Sequence, residues 1–206
     1  MEVRELPVDI KNEILFKNTV NITYPQVCNI RNHQVEQRIN KKIIKEVDYL
    51  ISKQGYYENY VLEMIGKYEL KTNQRGILSL TLINYAFTGG AHGMTYVNGL
   101  TFDVDKGDSY KLKDLFKKDS NYVQRLSAII KKQIEERDIP VLGEFKEIDP
   151  DQDFYISDKV LVIYFQLYEL TPYAYGFPFF PISVYEIEDI IDEKGILGRM
   201  LNWYNY

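Results

Sequence analysis

The chain has 206 residues, room for one domain or for two small ones with a sizeable interior. With 45% hydrophobic and 27% charged residues it has the composition of a folded soluble protein, which excludes disorder as its default state. Its 25 basic against 30 acidic groups leave a net charge of −5. No run of Lys and Arg is dense enough to neutralise a row of phosphates, which argues against a nucleic-acid partner.

Along the chain, Ile14 through Phe16 and then Val20 through Tyr24 read as short strands, and Pro25 is expected to end or edge their pairing. Val35, Ile39, Ile43, Val47 and Leu50 then recur every three or four positions among Glu36, Arg38, Lys41, Lys42, Lys45 and Glu46. That spacing predicts an amphipathic helix over 32–53 with a solvated basic face. Three alternating runs follow, over 60–70, 77–87 and 94–104, each with one apolar and one polar side. They place Tyr60, Leu62, Met64, Tyr68 and Leu70, then Leu78, Leu80 and Leu82, then Tyr96, Leu100 and Phe102 on the apolar face. Short glycine-bearing links at 72–76 and 88–93 make them an antiparallel meander, with helix 32–53 on its apolar face.

Turn chemistry at Asp105-Lys106-Gly107-Asp108 reverses the third strand, and 113–116 reads as a helical turn. Asp119 or Ser120 is placed to cap a second helix with Val123, Leu126, Ile130 and Ile134 as its stripe, ended by Pro140. A loop over 143–153 leads to 160–167, apolar enough for a central strand. The stretch 168–181 reads as a loop rich in proline and aromatics, 182–185 as a returning strand, and 187–203 as a closing helix interrupted at Gly195. Helix, meander, helix and strands, with no linker or repeat, give the α+β class.

Candidate chemistry is sparse. The cluster Gly89-Gly90-Ala91-His92-Gly93 lacks a GK[ST] ending and joins two strands, so a phosphate loop is a poor reading. Its glycines suit a tight hairpin with at least one backbone conformation closed to other residues, leaving His92 beside a small concavity. There is no GxSxG elbow and no HExxH motif, so no nucleophile or catalytic residue is signalled. Two histidines and one cysteine make a metal centre improbable, and no cofactor is indicated. Asp149, Asp151 and Asp153 begin like a calcium loop, but Phe154 stands where the sharp turn needs glycine and Val160 where the bidentate Glu should be. Cys28 is expected to be a small buried hydrophobe and His33 a cap or surface residue.

The aromatic stretch offers more: Tyr164, Phe165, Tyr168, Tyr173, Tyr175, Phe177, Phe179 and Phe180 crowd one segment. Some must fill the core, and exposed members suit a binding surface, since tyrosine joins rigid apolar area to a hydroxyl. The candidate ligand-binding residues are therefore Tyr85, Gly89, Gly90 and His92 at the hairpin, and Tyr168, Tyr173, Tyr175 and Phe177 in the loop.

The segments Tyr24-Pro25-Gln26-Val27, Tyr85-Ala86-Phe87-Thr88-Gly89-Gly90-Ala91-His92-Gly93, Phe154-Tyr155-Ile156 and the run from Tyr164 through Pro178 resemble a bacterial domain-of-unknown-function family. That family is similar to the extracellular part of RsiV-type lysozyme-sensing anti-sigma factors and to the non-catalytic region of some peptidoglycan deacetylases. The resemblance spans about 18–192. It implies two linked α+β subdomains, a helix over antiparallel strands in each, which divide this chain at 1–105 and 106–206. It attaches no catalytic residues.

The expected function is a non-enzymatic binding module for a lysozyme-like protein or a cell-wall glycan. The alternatives are an enzyme using His92 with a nearby carboxylate, and a structural or sporulation-associated scaffold. No stretch approaches the roughly 20 apolar residues that span a bilayer, and the first 25 residues are too interrupted by charge for a secretory signal. A native start at Met1 implies the cytoplasm, and an excised ectodomain implies the outside. Oligomeric state is not legible.

Overall fold

The computed structural model describes residues 6–58 and 61–201. Tyr60, which opens the first expected meander strand, and the last residues of the expected closing helix lie outside them. The chain separates into two compact units, one through Ser109 and one from Tyr110.

In the first unit β1 (Asp9–Lys17) and β2 (Val20–Cys28) form a hairpin, and α1 (His33–Lys53) follows. Then β3 (Glu63–Gln74), β4 (Ile77–Phe87) and β5 (Met94–Asp103) form the meander, ending in the two-residue β6 (Asp108–Ser109). The six strands lie in chain order across one sheet. The meander is antiparallel as its alternation predicts. The sheet as a whole is mixed, because β2 and β3 run parallel, with Val20 opposite Met64 and Ile22 opposite Gly66. The helix is the reason: a 21-residue crossover returns the chain to the end of the sheet it left, so the next strand runs the same way.

The α1 stripe of Val35, Ile39, Ile43, Val47, Leu50 and Ile51 is buried in one core with Val20, Ile22, Met64, Leu80, Leu82, Leu100 and Phe102. Each such side chain contributes about 1.5–3 kcal/mol by leaving water. The helix is capped by Asn32, whose Oδ1 accepts from the Gln34 N–H at 3.0 Å. His33 is not the cap but the first helical residue, exposed and 3.3 Å from Glu36.

Pairing does not end at Pro25, which sits opposite Asn12 in a ladder running out to Asp9 and Cys28. It lies instead where β3 no longer accompanies β2, so the expected edge exists on one side only. There Asn40 of α1 takes the place of a strand. Its Oδ1 accepts from the Val27 N–H and its Nδ2 donates to the Val27 carbonyl, both at 2.8 Å. Asn40→Ala is expected to lower stability by about 2 kcal/mol, because the buried Val27 peptide groups lose both partners. Urea unfolding checks this, and an unchanged midpoint would mean that water reaches the Val27 backbone. Cys28 is only half-buried, its Sγ against the Asp9 carbonyl at the hairpin end.

The β3–β4 link is tighter than expected. Gln74 pairs with Ile77, and only Arg75 and Gly76 turn, at φ +56° and +70°, the mirror-image turn that suits strand twist. Leu62 precedes the strand and is exposed, and Leu70, opposite the buried Leu80 and next to a bulge before Thr72, stays 46% exposed, so neither leucine is buried. After β5 the fully buried Asp103 carboxylate accepts from the N–H groups of Asp105 and Lys106, and Gly107 closes the turn at φ +75°.

The second unit holds a 3-10 turn (Leu112–Leu115), α2 (Tyr122–Glu136), β7 (Phe154–Ser157), β8 (Val160–Tyr164), β9 (Phe179–Ser183) and α3 (Ile196–Leu201). The three strands are antiparallel with β8 central. Helix α2 buries Leu126, Ser127 and Ile130 and lies beside β9, where Gln133 Nε2 donates to the Pro181 carbonyl and Arg137 to the Phe179 carbonyl. The class is thus α+β, with a helix packed on a mixed sheet that contains the antiparallel meander in the first unit and a helix beside an antiparallel sheet in the second.

Four local expectations are corrected. Asp119 is left-handed at φ +61° and cannot cap, so α2 begins after Asn121. Residues 154–157 form a strand, too short to stand out beside its polar flank. The returning strand comes earlier, over Phe179–Ser183, because Pro181 needs no N–H at its place opposite Val162. Within the described part of the expected closing helix, 187–201, Ile196–Leu201 is helical and turns precede it, one closed by the Gly195 N–H on the Asp192 carbonyl.

Candidate functional site

The 88–93 hairpin is built on glycines for two different reasons. Gly89 and Gly90 hold φ of +100° and +96°, which L side chains avoid. Gly93 has ordinary φ, but a Cβ there would lie 2.6 Å from the Tyr85 hydroxyl oxygen and closer still to its ring carbons. The hairpin brings the exposed His92 to the end of the meander, where its Nδ1 is 3.0 Å from the Gly93 carbonyl. A carbonyl only accepts, so Nδ1 carries the proton.

Facing the hairpin is the C-terminal end of α1. Gln54, 7% exposed, donates from Nε2 to the Met94 carbonyl at 2.8 Å and accepts from Asn84 at 2.6 Å, which ties the helix end to β4 and β5. The Lys53 ammonium lies 4.1 Å from the Tyr96 ring centroid and 5.6 Å from that of Tyr49. Between these walls is a concave cavity of about 630 Å³. Its helix side is Lys53, Gln54 and Gly55, its sheet side Ala86, Met94 and Tyr96, and its rim Thr88, His92 and Gly93. Among the described residues no carboxylate lines it beside His92, and no serine or cysteine does.

His92 therefore sits at a concavity, as the hairpin suggests. Tyr85 does not line it: opposite Thr95 in the ladder, it projects from the sheet face away from Ala86 and Met94 and covers Gly93. Sequence reasoning missed Lys53, Gln54, Gly55 and Tyr96. The available signal was Gly55 just past the last helical residue, where a glycine at φ +79° stops the helix and leaves open space above it.

In the second unit the aromatic segment divides. Tyr164, Phe165 and Phe180 are core, Phe165 meeting Phe180 edge-on at 5.7 Å. Tyr168 is 48% exposed and Tyr175 40%, with the Tyr168 and Tyr173 rings 5.5 Å apart. Tyr168 also holds φ +67°, an unfavourable backbone for a bulky residue. Phe177 is half-buried and lies 6.4 Å from Phe179. The eight candidates thus fall into two groups, one in each unit.

The aspartates of the calcium-like stretch have structural occupations. Asp149 accepts from the Asp151 N–H, Asp153 accepts from Gln166, and Asp151 pairs with Lys111 at 2.7 Å. The Lys111 ammonium, by its hydrogen bond first and its charge second, holds the Asp151 carboxyl below the usual carboxylate range.

Family models match both parts of the chain: residues 11–95 match "Deacetylase PdaC" and residues 113–185 match "Protein of unknown function (DUF3298)". The chain thus resembles a DUF3298-type family with RsiV-like and PdaC-like regions. It is 29% identical over 200 residues to the anti-sigma-V factor RsiV of Bacillus subtilis, covering 89% of this chain and 69% of that protein. It is 24% identical over 136 residues to the peptidoglycan-N-acetylmuramic acid deacetylase PdaC of the same organism. That match covers 63% of this chain and 29% of PdaC. A DUF3298 family member from Bacteroides fragilis superposes with a TM-score of 0.71 at 14% identity, over 95% of this chain and 98% of the other. A second, from Pseudomonas aeruginosa, gives 0.68 at 14% identity, over 92% and 95%. At such identity these two likenesses speak to the fold.

Proposed function

We propose that the chain is a non-enzymatic binding module that recognises a cell-wall glycan at the cavity beside His92. The observation that carries this reading is the cavity itself: it has the volume of a small-ligand site and a hydrogen-bonded wall, and among the described residues its lining offers no serine, cysteine or carboxylate to work with His92. The likeness to PdaC over 11–95, which holds every lining residue named above except Tyr96, supports a wall component as the ligand. The likeness to RsiV supports a second occupant, a lysozyme-like protein, for which the exposed Tyr168 and Tyr175 supply rigid aromatic area.

Calorimetric titration against a muropeptide and against lysozyme tests both readings. His92→Ala is expected to weaken glycan binding and Tyr175→Ala protein binding, each by about tenfold, with melting temperatures almost unchanged because exposed side chains contribute little to folding. Binding of neither, together with hydrolysis of an ester, amide or glycoside that His92→Ala abolishes, would replace the module with an enzyme. Binding of neither and no turnover would leave a scaffold.

A further inference from the structure

We infer that the cavity beside His92 is a carboxylate receptor, with Lys53 as its anion-binding group. The inference rests on the binding-module reading of that cavity and specifies what the module selects.

The lining is electrically one-sided. On a chain with net charge −5 it contains a lysine and a histidine and, among the described residues, no Asp or Glu. Lys53 differs from Lys42 on the same helix, whose ammonium lies 2.5 Å from Glu46. Among the described residues Lys53 has no carboxylate at ion-pairing distance, and its ammonium rests instead against the rings of Tyr96 and Tyr49. Ring faces fix the position of an ammonium without cancelling its charge, so the cation stays available to an incoming anion.

The surroundings hold that geometry in advance. Gln54, tied to Met94 and Asn84, locks the helix end on which Lys53 sits against the strand that carries Tyr96. His92 is oriented across the cavity mouth by its bond to the Gly93 carbonyl. Gly55 leaves open space beside Lys53 where any other residue would project a side chain. A site ordered before its ligand arrives loses less on binding. At about 630 Å³ it accommodates a sugar ring with an acidic substituent or the free end of a peptide, and both present the same carboxylate.

The test uses N-acetylmuramic acid, N-acetylglucosamine, and an N-acetylated trialanine as free acid and as amide. Binding is followed by calorimetry and by the His92 ring resonances in NMR. N-acetylmuramic acid is expected to bind at least about tenfold more tightly than N-acetylglucosamine, the worth of a charge-assisted hydrogen bond. Lys53→Met should remove that preference and Lys53→Arg keep it, both with the wild-type melting temperature. Binding of the free-acid peptide but not its amide, without the sugar acid, assigns the carboxylate to a peptide end, and the reverse assigns it to a sugar. Equal binding of the two sugars and of the two peptides, or a preference that survives Lys53→Met, overturns the carboxylate receptor while leaving the module intact. Failure of every acid to bind also overturns it, and the muropeptide and lysozyme titrations then decide separately on the module.

Discussion

Phe180→Ala is expected to destabilise the second unit by about 3–5 kcal/mol, the range for emptying a buried aromatic site that collapses only partly. Phe180 is fully buried on β9, opposite Ile163 of the central strand, with Phe165 edge-on and the Arg137 guanidinium 5.5 Å from its ring centroid. Removing the ring opens a void where the central strand, helix α2 and the aromatic segment meet one side chain. Tyr175, five positions earlier and 40% exposed, belongs to the opposite case, and its removal should leave the unfolding midpoint nearly in place. Urea unfolding of the two variants separates core aromatics from surface ones. A loss below 1 kcal/mol for Phe180→Ala would mean that the segment packs loosely and that its aromatics answer to a ligand instead.

Gly93→Ala should cost about 3 kcal/mol, against about 1 kcal/mol each for Gly89→Ala and Gly90→Ala. The larger figure comes from steric conflict: the new methyl would have to occupy space taken by the outer atoms of the Tyr85 ring. At Gly89 and Gly90 the cost is conformational, arising from φ near +100° with little or nothing near the added carbon. The two causes respond differently to a second change. Tyr85→Ala should restore much of the stability lost in Gly93→Ala and none of that lost in Gly89→Ala, which thermal unfolding of the single and double variants measures. Additive losses at Gly93 and Tyr85 would refute the steric account.

The parts of this fold that were legible in the sequence are those with a sustained period. Val35 to Leu50 repeats through four helical turns, and Leu78 to Leu82 alternates without interruption, so α1 and the meander follow directly. The parallel joining of β2 to β3 was hidden, because periodicity fixes which face of a strand is buried and not which neighbour it chooses. Short elements were misread where local chemistry spoke against them: β9 contains Pro181, and β7 is four residues long. The closing helix failed for the opposite reason, its apolar residues being held by turns and by the Phe116–Ile191 bridge. At the site, His92 was visible from its glycines. Lys53, Gln54 and Tyr96 were not, since each looks like an ordinary helix-end or strand residue until α1 is laid against β4 and β5.

The parallel seam also sets how firmly each strand is held. Three residue pairs attach the β1–β2 hairpin to β3, whereas β4 is laddered along almost its whole length on both sides. Little apolar surface is protected at the outer strand, where Ile14 is 66% and Phe16 74% exposed. Beyond the burial of Val20, Ile22 and Val27 of β2 in the core, side-chain ties hold the hairpin, from Asn40 to Val27, from Tyr68 to Asn12 and from Asn73 to Val8 just before it. Opening free energy is therefore graded across the sheet, lowest at β1 and highest at β4. The outer strand can fray while β2, whose Val20, Ile22 and Val27 lie in the core with α1, and the β4–β5 strands that frame the cavity stay closed.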